Sequence, residues 1–68
     1  MVEGRDDRPR SGQILFEFTQ VGQQMRVAAI DVATQIEVVV IAPLSASRLQ
    51  MQTVAKAKLQ RRLTQLHS

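Results

Sequence analysis

The amino-acid sequence predicts an α+β fold: a three-stranded antiparallel β-meander followed by one C-terminal α-helix packed on one face of the sheet (βββα). Up to Pro43 the apolar residues alternate along the chain, as they do in half-buried strands. After Pro43 they recur at helical spacing, and every formally charged residue is a lysine or an arginine. The segments between the strands are short, which favours antiparallel neighbours over crossover connections.

Residues 1–12 differ from the rest of the chain in having low hydrophobicity, mixed charges and no apolar periodicity. This composition is typical of disordered segments. We therefore expect a disordered N-terminal tail at residues 1–12 and a single domain at residues 13–66.

The first two strands are predicted at residues 13–19 and 24–30. Gly22 lies in the turn between them, where it can adopt a positive φ without steric cost. A hairpin symmetric about this glycine and the residue before it would place Glu17 directly opposite Arg26, as a weakly stabilising cross-strand pair.

The third strand is predicted at residues 35–42, because this stretch is the richest in β-branched side chains. Asp31 begins the turn before it, where its carboxylate can accept backbone N–H groups. Pro43 cannot extend a ladder of hydrogen bonds and ends the sheet.

The start of the helix is indicated by Ser47 and Gln50, which have the spacing of a capping box. At 100° per residue, six apolar residues of the helix fall within an arc of roughly 160°. They are predicted to pack on the sheet: Leu49, Met51, Ala55, Leu59, Leu63 and Leu66.

The two faces of the sheet are predicted to have different roles. The more apolar face is expected under the helix and carries Ile14, Phe16, Phe18, Met25, Val27, Ala29, Ile36, Val38 and Val40. One helix cannot also cover the other face, so we expect a protein interface there, formed by Leu15, Ala28, Ile30, Val39 and Ile41. The partner would be a second copy, giving a homodimer, or another protein, and the edge of strand three offers a second route. The alternative is a solvated face, because scattered exposed apolar residues are ordinary.

The residue types argue against catalysis and against metal or cofactor binding. The chain has no cysteine and no tyrosine, and its single histidine, His67, lies close to the C-terminus. The carboxylates of the predicted sheet stand singly, and no glycine-rich phosphate loop is present. We expect a protein that is not an enzyme, without catalytic residues, metal ligands or cofactors.

A cytoplasmic location is expected from the sequence. No stretch approaches the roughly 18 apolar residues of a membrane span. The charged N-terminal residues also lack the apolar segment of a secretory signal.

The basic helix supports an alternative function, weak sequence-independent nucleic-acid binding through the phosphate backbone. Its five cations would be Arg48, Lys56, Lys58, Arg61 and Arg62. However, the chain has no Trp or Tyr, and both phenylalanines lie on the predicted core face, where they could not stack on bases. Helix-end electrostatics and solubility are the simpler explanation of these charges.

Several segments resemble a family of very short alphaproteobacterial proteins that is classed as a domain of unknown function. The resemblance lies in Leu15-Phe16-Glu17-Phe18, in residues 27–38 with the turn Asp31-Val32-Ala33-Thr34, and in Pro43, Ala46-Ser47 and the helix around Ala55-Lys58-Leu59. It covers roughly residues 13–64 and implies a fold but no active site. Where the family pattern has a proline after the turn aspartate and a glycine after the turn threonine, this chain has Val32 and Gln35. A positive φ at Gln35 would cost about 1 kcal/mol.

Overall fold

The computed structural model of the chain describes residues 13–67 and confirms the βββα arrangement. Its elements are β1 Ile14–Val21, β2 Gln24–Asp31, β3 Ile36–Pro43 and α1 Arg48–His67. The three strands form one antiparallel sheet in the order β1-β2-β3. The tail predicted at residues 1–12 lies outside the described residues.

The first hairpin has a tighter turn than predicted, and this changes its register. Gly22 has a φ of 62° and forms a two-residue loop with Gln23, so β1 continues to Val21. A glycine with positive φ at the first position of a two-residue loop matches the twist of the flanking strands. Glu17 therefore pairs with Ala28, and the predicted Glu17–Arg26 pair is wrong. The register differs by two residues, so every side chain still lies on its predicted face.

The second turn is held by the predicted Asp31 side chain. Its Oδ2 accepts hydrogen bonds from the backbone N–H of Thr34 at 3.0 Å and from the Thr34 hydroxyl at 2.6 Å. Gln35 donates its N–H to the Asp31 carbonyl at 2.7 Å and has a φ of 63°. Because this is a left-handed conformation, Gln35 belongs to the turn, and β3 begins at Ile36 rather than at the predicted residue 35.

Replacing Gln35 by glycine is expected to raise the free energy of unfolding by about 0.5–1 kcal/mol, because glycine adopts a positive φ without the Cβ penalty. The Gln35 side chain is exposed, so little packing is lost. The matched control is Gln23→Gly, at an exposed loop position without a positive φ. Urea unfolding followed by circular dichroism measures both, and equal effects of the two substitutions would contradict the expectation.

The helix begins at the predicted capping box. The Gln50 N–H donates to Ser47 Oγ at 3.0 Å, and the Ser47 N–H donates to Gln50 Oε1 at 2.9 Å. From there α1 packs mainly on β2 and β3. The predicted core face of the sheet is confirmed: Val27, Ala29 and Val38 are buried in the central cluster, and Ile14, Phe16, Phe18, Met25, Ile36 and Val40 pack around it.

The helix buries a narrower stripe than predicted. Met51, Ala55 and Leu59 are buried at a spacing of four residues, and Leu63 continues the stripe half-buried. Leu49 and Leu66 do not belong to the core, because they are 72% and 54% exposed. Leu49 lies at the limit of the predicted arc, about 160° from Met51 at 100° per residue. Leu66 lies in the last turn of a helix that is about 30 Å long, beside strands of about 27 Å.

No helix within residues 13–67 combines the length and the hydrophobicity needed to cross a bilayer.

Candidate interaction surfaces

The back face of the sheet, defined as the face opposite α1, carries all five residues of the predicted interface. The strand pairing places Leu15 beside Ile30 and Ala28 beside Val39. Ile41, two residues after Val39 on β3, lies beside Arg26. Three exposed charged residues lie among these apolar residues on the same face: Glu17, Arg26 and Glu37.

The five residues differ in what they offer to a partner. Leu15 and Ile41 are 50% and 56% exposed, and Ile30 and Val39 are half-buried. Ala28 is fully buried, so its methyl group provides no contact area of its own. An approaching surface would therefore contact two flanking apolar ridges with a small residue between them.

A second apolar surface, the edge groove, lies between the outer edge of β3 and the first two turns of α1. It has a volume of about 580 Å³ and is lined by residues 40–43 and by α1 residues that include Met51 and Val54. Val54 is 58% exposed, so the groove opens to solvent beside an exposed apolar side chain. The groove was not predicted, since it depends on the lateral position of α1 over β2 and β3.

Lys58 lies just beyond one end of the edge groove. It lies one helical turn beyond Val54, and its Nζ donates a hydrogen bond to the backbone carbonyl of Val39 at 2.7 Å. The Val39 carbonyl therefore points away from β2. In an antiparallel strand the N–H and C=O of one residue point to the same side, and the side changes with each residue. The N–H of Val39 and both backbone groups of Ile41 thus face the open edge.

The five cations of α1 do not form a single surface. The Arg48 guanidinium lies over the Phe18 ring, 4.2 Å from its centroid, and Lys58 is bound to the β3 edge. At 100° per residue, Lys58, Arg61 and Arg62 lie within an arc of about 100° on the groove side, whereas Lys56 lies on the other side of the buried stripe. Lys56 instead borders a small pocket of about 220 Å³ beside Phe16.

The acidic side chains of residues 13–67 form no cluster, and one of them is buried. No three His, Cys, Asp or Glu side chains in this part of the chain are close enough to hold a metal ion together. Asp31 is buried, but its carboxylate is occupied by the two Thr34 groups of its turn. Residues 13–67 present to a ligand apolar surface, exposed cations and the exposed carboxylates of Glu17 and Glu37.

Comparison with known proteins identifies a family and leaves its activity open. Searches of the curated proteins and of the solved structures give no significant match. A family model described as a domain of unknown function, DUF6898, matches residues 11–66, which is most of the 68-residue chain. The chain therefore belongs to the DUF6898 family, as its resemblance to a domain of unknown function indicated.

Proposed function

We propose that the protein is a non-enzymatic interaction module that associates with a second copy of itself through the back face. The observation that carries the proposal is the position of Leu15, Ile30, Val39 and Ile41 on the face of the sheet opposite α1. Burying such residues is favourable at roughly 25 cal/mol per Å² of apolar surface. Four of them on one face therefore form a suitable contact surface.

The small core favours a second copy as the partner. Seven apolar side chains of residues 13–67 are buried, and three of them are alanines, Ala28, Ala29 and Ala55. A domain of about this size buries only about 60% of the surface of its unfolded chain, so additional burial has a large relative effect. A two-fold contact buries the same patch on both copies and thus doubles the contribution of each residue.

Replacing Leu15 by lysine is expected to abolish this association, because two ammonium groups would be placed in the apolar contact. Analytical ultracentrifugation from micromolar to millimolar concentration measures the effect. The wild-type sedimentation coefficient should rise with concentration, whereas that of L15K should remain at the monomer value. Leu15 lies on β1 and does not line the edge groove, so the variant affects only the back face.

The matched control is Leu66→Lys, which changes a leucine of similar exposure at the end of α1 (54% against 50%). L66K should associate like the wild type. A wild-type protein that remains monomeric at every concentration would contradict the proposal, and so would an equal loss of association in the two variants.

The alternative from another functional class is nucleic-acid binding through α1. Lys56, Arg61 and Arg62 are exposed, and no Asp or Glu follows Glu37 in the sequence, which supports contact with phosphates. Arg48 and Lys58 instead contact Phe18 and Val39 within the chain, so fewer cations are available than the sequence suggests. We therefore favour the interaction module.

A further inference from the structure

The edge groove combines three features that are found together in sites for extended peptides. One wall is an open strand edge, the floor and the other wall are mainly apolar with Gln50 and Thr53 among them, and a cation lies just beyond one end. In β-strand addition, backbone hydrogen bonds to an edge strand provide affinity, and pockets for alternate side chains provide specificity. The surface is separate from the back face, because it is formed by the β3 edge and by α1.

The backbone of β3 determines what can bind along this wall. The N–H of Val39 and the N–H and C=O of Ile41 point to the open edge, as the Lys58–Val39 hydrogen bond indicates. An added strand could pair with these groups over residues 39–43, a length of about 13 Å. Four or five residues of an extended segment therefore fit along the groove.

The side chains of α1 determine the character of the segment. Met51 and Val54 face the groove together with Val40 and Ala42, so every second side chain of an added strand would meet an aliphatic surface. The segment should therefore carry aliphatic residues at alternate positions, as a half-buried strand does.

Lys58 determines the charge and the direction of the segment. Its side chain reaches the β3 edge at Val39, and Arg61 and Arg62 lie on the same flank of α1 without any acidic residue in the helix. A segment antiparallel to β3 would enter beside Pro43 and reach Lys58 with its C-terminal end. Because the Lys58 side chain lies across the edge at that point, a segment that ends there fits better than one that continues.

We propose that the edge groove binds the C-terminal segment of a partner protein as a fourth strand antiparallel to β3, with the terminal carboxylate on Lys58. The Lys58 ammonium group would then donate its hydrogen bond to the peptide carboxylate instead of the Val39 carbonyl. The new hydrogen bond is stronger, because both of its partners are charged. The proposal rests on the interaction role proposed above but uses a different surface, so the two can fail separately.

The test uses fluorescein-labelled pentapeptides with Val, Ile, Leu, Thr and Ser varied at every position, each made with a free C-terminal carboxylate and as the amide. Fluorescence anisotropy with the full chain measures their affinities. We expect members of the acid set to bind and their amides to bind at least about tenfold more weakly, as the loss of one charge-assisted hydrogen bond implies. Amide exchange should show added protection at Val39 and Ile41.

The variant Lys58→Met keeps a side chain of similar length and removes the charge, so it should bind acid and amide peptides equally. The matched control is Lys56→Met, on the other side of the buried stripe, which should keep the wild-type preference. Both lysines are exposed, and circular dichroism verifies that both variants are folded.

Three results would overturn the proposal: no binding by any member of the acid set, equal binding of acids and amides to the wild type, or an equal loss in K58M and K56M. L15K should bind the acid peptides like the wild type even where its self-association is lost, which separates this test from that of the back face.

Discussion

Replacing Leu59 by alanine is expected to lower the free energy of unfolding by about 2–5 kcal/mol. Leu59 and Val27 are the largest fully buried side chains of residues 13–67, and Leu59 lies in the cluster that joins α1 to the sheet. Truncation removes the transfer free energy of three carbon atoms and leaves a cavity between the helix and the strands. At roughly 0.05–0.15 kcal/mol per residue, the whole chain has only about 3–10 kcal/mol of stability. A large share of it thus depends on this one side chain.

Urea unfolding followed by far-UV circular dichroism measures the loss. Leu59→Val, which removes less volume, keeps the experiment informative if the alanine variant is largely unfolded, and its loss should be smaller. The matched control is Leu66→Ala, in the same helix but 54% exposed, where a change within about 0.5 kcal/mol is expected. Similar losses at positions 59 and 66 would mean that α1 packs on the sheet by another stripe.

The fold could be predicted from the sequence because its periodicities are simple. Alternation up to Pro43 assigns each strand residue to a face, and this assignment does not change when a register shifts by two. The predicted pairing of β1 with β2 was shifted by two residues, and Leu15 and Ile30 still lie on the back face as expected. The capping box at Ser47 was equally local, since both of its hydrogen bonds depend on residues three apart.

What could not be predicted depends on contacts between distant residues. Helical periodicity indicated an apolar arc from Leu49 to Leu66 but not how much of that arc the sheet covers. The lateral position of α1 over β2 and β3 exposes Leu49 and opens the edge groove. The same placement brings Lys58 to the Val39 carbonyl, nineteen residues away in the sequence. In the sequence, Lys58 is only a lysine one helical turn after Val54. Its contact with Val39 can be predicted only when this side of α1 is known to face the edge of β3.

The two proposed surfaces, the back face and the edge groove, share strand β3. The side chains of Val39 and Ile41 lie on the back face, whereas their backbone groups face the open edge. Self-association through the back face therefore leaves the edge accessible, and a strand added at the edge would extend the back face by one strand. A dimer could thus present two edge grooves, one on each copy.

Replacing Asp31 by alanine is expected to lower the free energy of unfolding by about 2–3 kcal/mol, because hydrogen bonds to charged groups contribute about 1.5–3 kcal/mol. Asp31 is only 5% exposed, and its carboxylate accepts both the N–H and the hydroxyl of Thr34. The Thr34 hydroxyl oxygen in turn accepts the N–H of Ile36 at 3.3 Å, so the network reaches the first residue of β3.

Urea unfolding measures the loss in Asp31→Ala, and the exposed Glu37→Ala on the next strand is the control, with an expected change within about 0.5 kcal/mol. A double-mutant cycle with Thr34→Ala should show a coupling of about 0.5–3 kcal/mol, because the two residues share one network. Additive losses would show that the contact between the two side chains contributes little to stability. The result matters for function, since this turn sets the β2–β3 register that places Val39 beside Ala28 at the centre of the back face.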